Sequence, residues 1–294
     1  MSNFRKDEIE VKHNARIKFY DDEHCSLIAF NRNTFLSDGW ECDSKQKFKS
    51  DIKPQFDELP KIKRDRTDSV LRAKKKVYDI AYANGEDWCY MVTLTLDGEK
   101  INRYDPNAVL KPFQNWLKNC VKRKGLKALL VAEYHSDKAI HFHGLVNGAL
   151  NVVDSGTVKA VGHKSPIKRT TAKRLHIPDE EQKTVYNCPD WKLGFSTFVP
   201  LDGNTHSVCT YITKYITKDF QKIFGKSYFA VGDIKRDVSF VLCDIDFEEM
   251  ESGGGYDDKL QVYNLPYKGG KVGYYNADIQ SVLSFVDGLA VKHD

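Results

Sequence analysis

Two adjoining runs decide the fold: Ala128-Leu129-Leu130-Val131-Ala132-Glu133-Tyr134-His135 and Ile140-His141-Phe142-His143-Gly144-Leu145-Val146, joined by Ser136-Asp137-Lys138-Ala139. Both are apolar and β-branched, and the link has hairpin length, so two antiparallel strands are expected. Because strand side chains alternate, His141 and His143 share one face while Phe142 enters the opposite, core-facing layer. Glu133, on the preceding strand of the hairpin, brings a carboxylate beside them. Two imidazoles and a carboxylate suit a divalent ion such as Mg²⁺ or Mn²⁺ and leave positions open for a phosphate oxygen, which the ion can polarise. His-x-His alone fits ordinary strand histidines equally well; the carboxylate is what points to a metal. His135, near the turn, reads as a solvent-facing strand end.

Working outward, Cys89-Tyr90-Met91-Val92-Thr93-Leu94-Thr95-Leu96 has the composition of a central strand before the Asp97-Gly98 turn. Asp105-Pro106 supplies an N-cap and a first-turn proline. Val109, Leu110, Phe113, Trp116, Leu117, Cys120 and Val121 then recur at helical spacing. An amphipathic basic helix is expected over Asp68 to Ala83. A Gly- and Lys-rich excursion from about 148 to 192 precedes a strand at Phe195 to Val199 and a helix from about Thr205 to Phe224. The order β-α-β-β-insert-β-α predicts an α+β fold, a central antiparallel sheet with helices packed on it. Residues 1–65 read as an N-terminal extension, 66–225 as the core domain and 226–294 as a C-terminal extension. Gly253-Gly254-Gly255 and Gly269-Gly270 suggest that the last is loosely organised.

Hydrophobic residues at 41% and charged residues at 29% fit a folded globular chain, and a net charge of +4 does not by itself identify a nucleic-acid partner. The basic residues are clustered, however. Lys61 to Lys76 holds eight Lys or Arg against two Asp, and Ser155 to Pro178 holds six with no acid. Such runs either neutralise phosphates or form a solvated surface. Seven scattered cysteines without a Cys-x-x-Cys pair argue against a disulfide framework or structural zinc. With no signal-peptide core and no membrane-length apolar run, a reducing cytoplasm is the expected setting.

A second constellation is Tyr211-Ile212-Thr213-Lys214-Tyr215-Ile216-Thr217-Lys218. At four-residue spacing on a helix, Tyr211 and Tyr215 present Cβ atoms about 5–6 Å apart, so either hydroxyl can address one site. Lys214, Lys218, Lys222 and Lys226 continue the same spacing on a ridge rotated about 60° from the tyrosines. Their ammonium groups are candidates for binding scissile or flanking phosphates and offsetting charge during transfer. Alone, the segment also fits an amphipathic helix with half-buried tyrosines.

Taken in order, Val92-Thr93-Leu94-Thr95-Leu96, His141-Phe142-His143 and Tyr211-x-x-Lys214-Tyr215-x-x-Lys218 resemble the three motifs of HUH endonucleases, especially rolling-circle replication initiators of small phages and plasmids. The resemblance spans about residues 66 to 225. It implies an RNA-recognition-like sheet with the histidines on a middle strand and the tyrosine helix across that face, and it makes Glu133 the third metal ligand. It further implies metal-dependent nicking of single-stranded or origin DNA through a 5′-phosphotyrosine, with the two tyrosines alternating in some members. No phosphate-binding loop of the G-x-x-x-x-G-K-[ST] type occurs, so no helicase motor is expected in this chain, and host helicase and polymerase are expected partners. The alternatives are a relaxase or transposase of the same fold, a metal-dependent hydrolase using water, and a non-catalytic single-stranded nucleic-acid module.

Overall fold

A computed structural model describes residues 12–36, 61–163, 165–201, 208–209, 212–213, 222–253, 259–265 and 269–289. The chain divides into two compact units, residues 60–237 and residues 1–59 with 238–294.

The first unit is built on one antiparallel sheet. Its centre consists of β5 (Tyr90–Leu96), β6 (Ala128–Tyr134), β7 (Ile140–Val146) and β11 (Gly194–Pro200). Helix α1 (Lys61–Ala83) precedes these strands, and α2 (Pro106–Lys124) connects β5 to β6. The cap of α2 follows the sequence: Asp105 accepts from the Asn107 N–H at 2.9 Å behind Pro106. The helix stops at Gly125, whose φ of 70° is left-handed and whose N–H donates to the Val121 carbonyl at 3.1 Å.

The strand order is β12-β6-β7-β5-β11-β10-β8-β9, so the histidine strand β7 is central. The four further strands are β8 (Val153–Ala160), β9 (Ile167–Lys168), β10 (Gln182–Asn187) and β12 (Phe229–Val231). The expected β-α-β-β-insert-β order is present, but the insert is not a mere excursion. It contributes β8, β9, the short helix α3 (Arg169–Arg174) and β10, which extend the sheet beyond β11. Only short alternating pieces such as Thr184-Val185-Tyr186 betray these strands, diluted among lysines and glycines. Of the helix expected from Thr205, Val208, Cys209, Ile212 and Thr213 are helical, and the chain is already turning at Ile223–Gly225.

The two faces of β7 divide the unit. Ile140, Phe142 and Val146 enter one core with Val109, Phe113 and Leu117 of α2. Phe142 stacks on Phe113 with ring centroids 3.8 Å apart, and its complete burial contributes on the order of 2 kcal/mol. On the other face Leu145 joins Leu129 and Val131 of β6, Val70, Val77 and Ile80 of α1, and Cys209 and Ile212. The residue after His143 must be glycine: a Cβ at Gly144 would collide with the Leu129 carbonyl and lie 2.9 Å from the Leu130 Cα.

The second unit brings residues 15–30 and residues 239–278 into one sheet. Its order is β13-β2-β3-β15-β14, where β2 is Ala15–Phe19, β3 His24–Phe30, β13 Ser239–Cys243, β14 Leu260–Asn264 and β15 Lys271–Asp278. A small pair, β1 (Lys12–His13) with β4 (Phe35–Leu36), accompanies it. Helices α4 (Phe247–Gly253) and α5 (Ile279–Leu289) close a core of Ile17, Leu27, Tyr275, Met250 and Val282. Arg16, buried in this unit, lies 4.6 Å from the Phe35 ring centroid. The C-terminal segment, read as loosely organised, instead supplies three strands and two helices here. Its period-2 apolar positions are short and become legible only opposite their partners from residues 15–30. Among the described residues no helix is long and apolar enough to cross a membrane.

Candidate active site

The register of three strands assembles the site. β6 sets Glu133 opposite His141 and Val131 opposite His143, while β5 sets Thr95 opposite His141 and Thr93 opposite His143. All point to the face away from Phe142. The Glu133 carboxylate crosses the diagonal, and its Oε2 lies 3.3 Å from His143 Nε2. Glu133 is buried at 6% exposure, so its charge needs a cation or strong donors nearby.

Each histidine has a threonine on its other nitrogen. Thr93 Oγ1 lies 3.1 Å from His143 Nδ1, and Thr95 Oγ1 lies 3.4 Å from His141 Nδ1. When Nδ1–H donates to the hydroxyl, Nε2 keeps its lone pair, the tautomer a metal ligand requires. The Nε2 to Oε2 separation of 3.3 Å is within ion-pair range.

His141 stands beside this pair. Its ring centroid is 6.5 Å from that of His143, and it stacks on His135 at 4.8 Å. Burial lowers the His141 pKa below the ordinary value, and the neighbouring His135 lowers it further, so the neutral, ligating form is favoured. His135 is exposed and lies 3.3 Å from the Asp137 carboxylate, the strand-end position expected of it. Among the described residues no three His, Cys, Asp or Glu side chains converge on one metal-sized point. The site therefore consists of a close Glu133/His143 pair with His141 adjacent on the same strand face.

Tyr211, Lys214, Tyr215 and Lys218 lie outside the described residues. Their neighbours are placed: Cys209 and Ile212, three apart on helical backbone, are buried at 0% and 1% against Leu129, Val131 and Leu145. Cys209 and Ile212 thus pack on the sheet face that carries the histidines. Burial pushes the Cys209 thiol up to about 12, which makes it a packing group and no nucleophile. Sequence reading gave Thr93 and Thr95 no partner. Their period-2 spacing matches that of the histidines, but the neighbour relation of β5 and β7 was needed to pair them.

Comparison with known proteins adds one finding. Residues 89–220 match the model of a family described as replication-associated protein, of the ORF2 type. No curated protein and no solved structure matches the chain. The matched segment runs from β5 through the histidine strand to the segment carrying Tyr211 and Tyr215, so it is this site-bearing part that is similar to a replication-associated protein, which supports a role in DNA replication.

Proposed function

We propose that the protein initiates rolling-circle replication by nicking one DNA strand as an HUH-type endonuclease. The observation that carries the reading is the Glu133, His143 and His141 group on the sheet face against which Cys209 and Ile212 pack. Glu133, His141 and His143 are the residues that would hold a Mg²⁺ or Mn²⁺ ion. Such an ion supplies Lewis-acid polarisation of the scissile phosphate. Tyr211 or Tyr215 gives up its hydroxyl proton to solvent and attacks the phosphorus, the bond to the 3′ oxygen breaks, and that oxygen takes a proton from solvent to leave as a 3′-hydroxyl. Lys214 and Lys218 bind the phosphate oxygens and offset their charge. The 5′-phosphotyrosine keeps the ester's energy for later rejoining, so no nucleotide hydrolysis is needed. Strand separation and synthesis would fall to a host helicase and polymerase.

The test is incubation with a 3′-labelled single strand carrying the replicon's own origin. Mn²⁺ should move label to the mass of the protein on a denaturing gel, and chelator should prevent it. Cleavage without adduct would indicate a hydrolase, and binding without cleavage a nucleic-acid module; either would reject the proposal.

The threonines give a separate handle. Thr93→Val keeps the shape but removes the acceptor at His143 Nδ1, and Mn²⁺ affinity should fall about tenfold by calorimetry, in the range typical of lost outer-shell partners. Thr93→Ser should restore it. Equal affinity for wild type and Thr93→Val would show that the hydroxyl does not orient the ring.

A further inference from the structure

Away from the histidines, a groove of about 850 Å³ runs along the β12 edge of the eight-stranded sheet, between α1 and α2. Its floor is apolar, formed by Ile80, Leu117, Val121, Phe229 and Val231. Its rim is cationic, with Lys76, Lys118, Lys122, Lys226 and Arg236 and no carboxylate among the lining residues. Asp237 stands at the margin and pairs with Lys76 at 2.7 Å. Arg236 is used by the edge itself, donating from Nη2 to the carbonyls of Ala230 at 3.1 Å and Gly232 at 3.4 Å. Lys118, Lys122 and Lys226 are exposed and have no ion pair among the described residues.

We infer that this groove is a binding track for single-stranded DNA, distinct from the histidine site; the inference rests on the DNA-processing reading above. Three ammonium groups without a paired carboxylate favour a polyanion, and Lys118 and Lys122, one helical turn apart, form a single ridge. The apolar floor accepts unpaired bases while the rim holds their phosphates, the division of labour of sequence-tolerant single-strand sites. A peptide strand adding to the edge is disfavoured because Arg236 already occupies the carbonyls of Ala230 and Gly232. β12 is two strands from β7, and its pairing with Ala128–Leu130 puts it about three residues along β6 from Glu133, on the order of 15 Å away by strand spacing and rise. The floor residues Phe229 and Val231 face the α2 side, opposite the histidines, so a strand held there rounds the β12 edge to reach them.

The test uses the full chain and a labelled 20-nucleotide oligo(dT) in chelator, which separates binding from nicking. The triple variant Lys118→Ala/Lys122→Ala/Lys226→Ala is compared with Lys12→Ala/Lys111→Ala/Lys192→Ala, which removes equal charge at exposed sites outside the groove. The groove variant should lose affinity on the order of tenfold or more at 0.1 M salt. Its log–log salt slope should become shallower by about 2, the value for three lost phosphate contacts on a single strand. The control should change less than about threefold. Equal losses in both variants, or a groove variant that binds like wild type, would overturn the track. An equal loss toward a blunt duplex of the same length would overturn its assignment to single strands. Wild type that binds no DNA at all would reject the parent reading as well, whereas wild type that forms the covalent adduct while the groove variant binds normally would reject only the groove.

Discussion

The double variant Tyr211→Phe/Tyr215→Phe is expected to abolish the covalent protein–DNA product, with a loss of at least about a thousandfold in adduct formation. The size follows from the proposed chemistry: phenylalanine has no oxygen to form the phosphoester, so no remaining binding interaction substitutes for it. Removing two hydroxyls leaves both rings, so thermal stability and oligo(dT) binding should stay close to wild type. Each single variant retains one hydroxyl at the four-residue spacing, and comparing them decides whether one tyrosine or both serve. Adduct at wild-type yield in the double variant would remove both residues from the reaction.

The second large effect concerns the carboxylate. Glu133→Gln preserves volume and hydrogen-bonding reach but takes away the charge 3.3 Å from His143 Nε2. Mn²⁺ affinity should drop about 10- to 100-fold, and Mn²⁺-dependent cleavage at limiting metal should fall with it. Raising Mn²⁺ should restore part of the rate, since the loss is in binding. His143→Ala should not be rescued in this way, because it removes a proposed ligand outright along with the imidazole 3.3 Å from the buried Glu133 carboxylate. It should also lower stability by roughly 1–3 kcal/mol, measured by denaturant titration. A Glu133→Gln variant with unchanged Mn²⁺ affinity would take the carboxylate out of the proposed metal site.

Much of this was legible in the residues because the informative pattern is local. Period 2 in Ile140 to Val146 assigns Phe142 to the core and the histidines to the opposite face, and β7 obeys it. The cap at Asp105 and the glycine stop at Gly125 bound α2 by chemistry contained within a few residues. What depended on distant pairing was not legible. The strands of the insert, and the sheet shared by residues 15–30 with residues 239–278, have short patterns that gain meaning only from their partners. The same holds at the site. The nearness of Glu133 to the histidines was legible because its hairpin partner is adjacent in sequence, while Thr93 lies fifty positions from His143 and needed the β5/β7 register. Likewise the cationic groove draws on α1, α2 and β12, and no single stretch announces it.

The most direct test of the central claim is to map the adduct. After reaction with Mn²⁺ and the origin strand, the DNA is digested to a nucleotide remnant and the protein is cleaved with trypsin. Cleavage after Lys192, Lys214 and Lys218 places Tyr211 in peptide 193–214 and Tyr215 in peptide 215–218, so one mass spectrum separates the two. A nucleotide monophosphate is expected on one or both of these peptides, formed only with metal. A remnant on any other peptide, or metal-dependent cleavage that leaves every peptide unmodified, would contradict it.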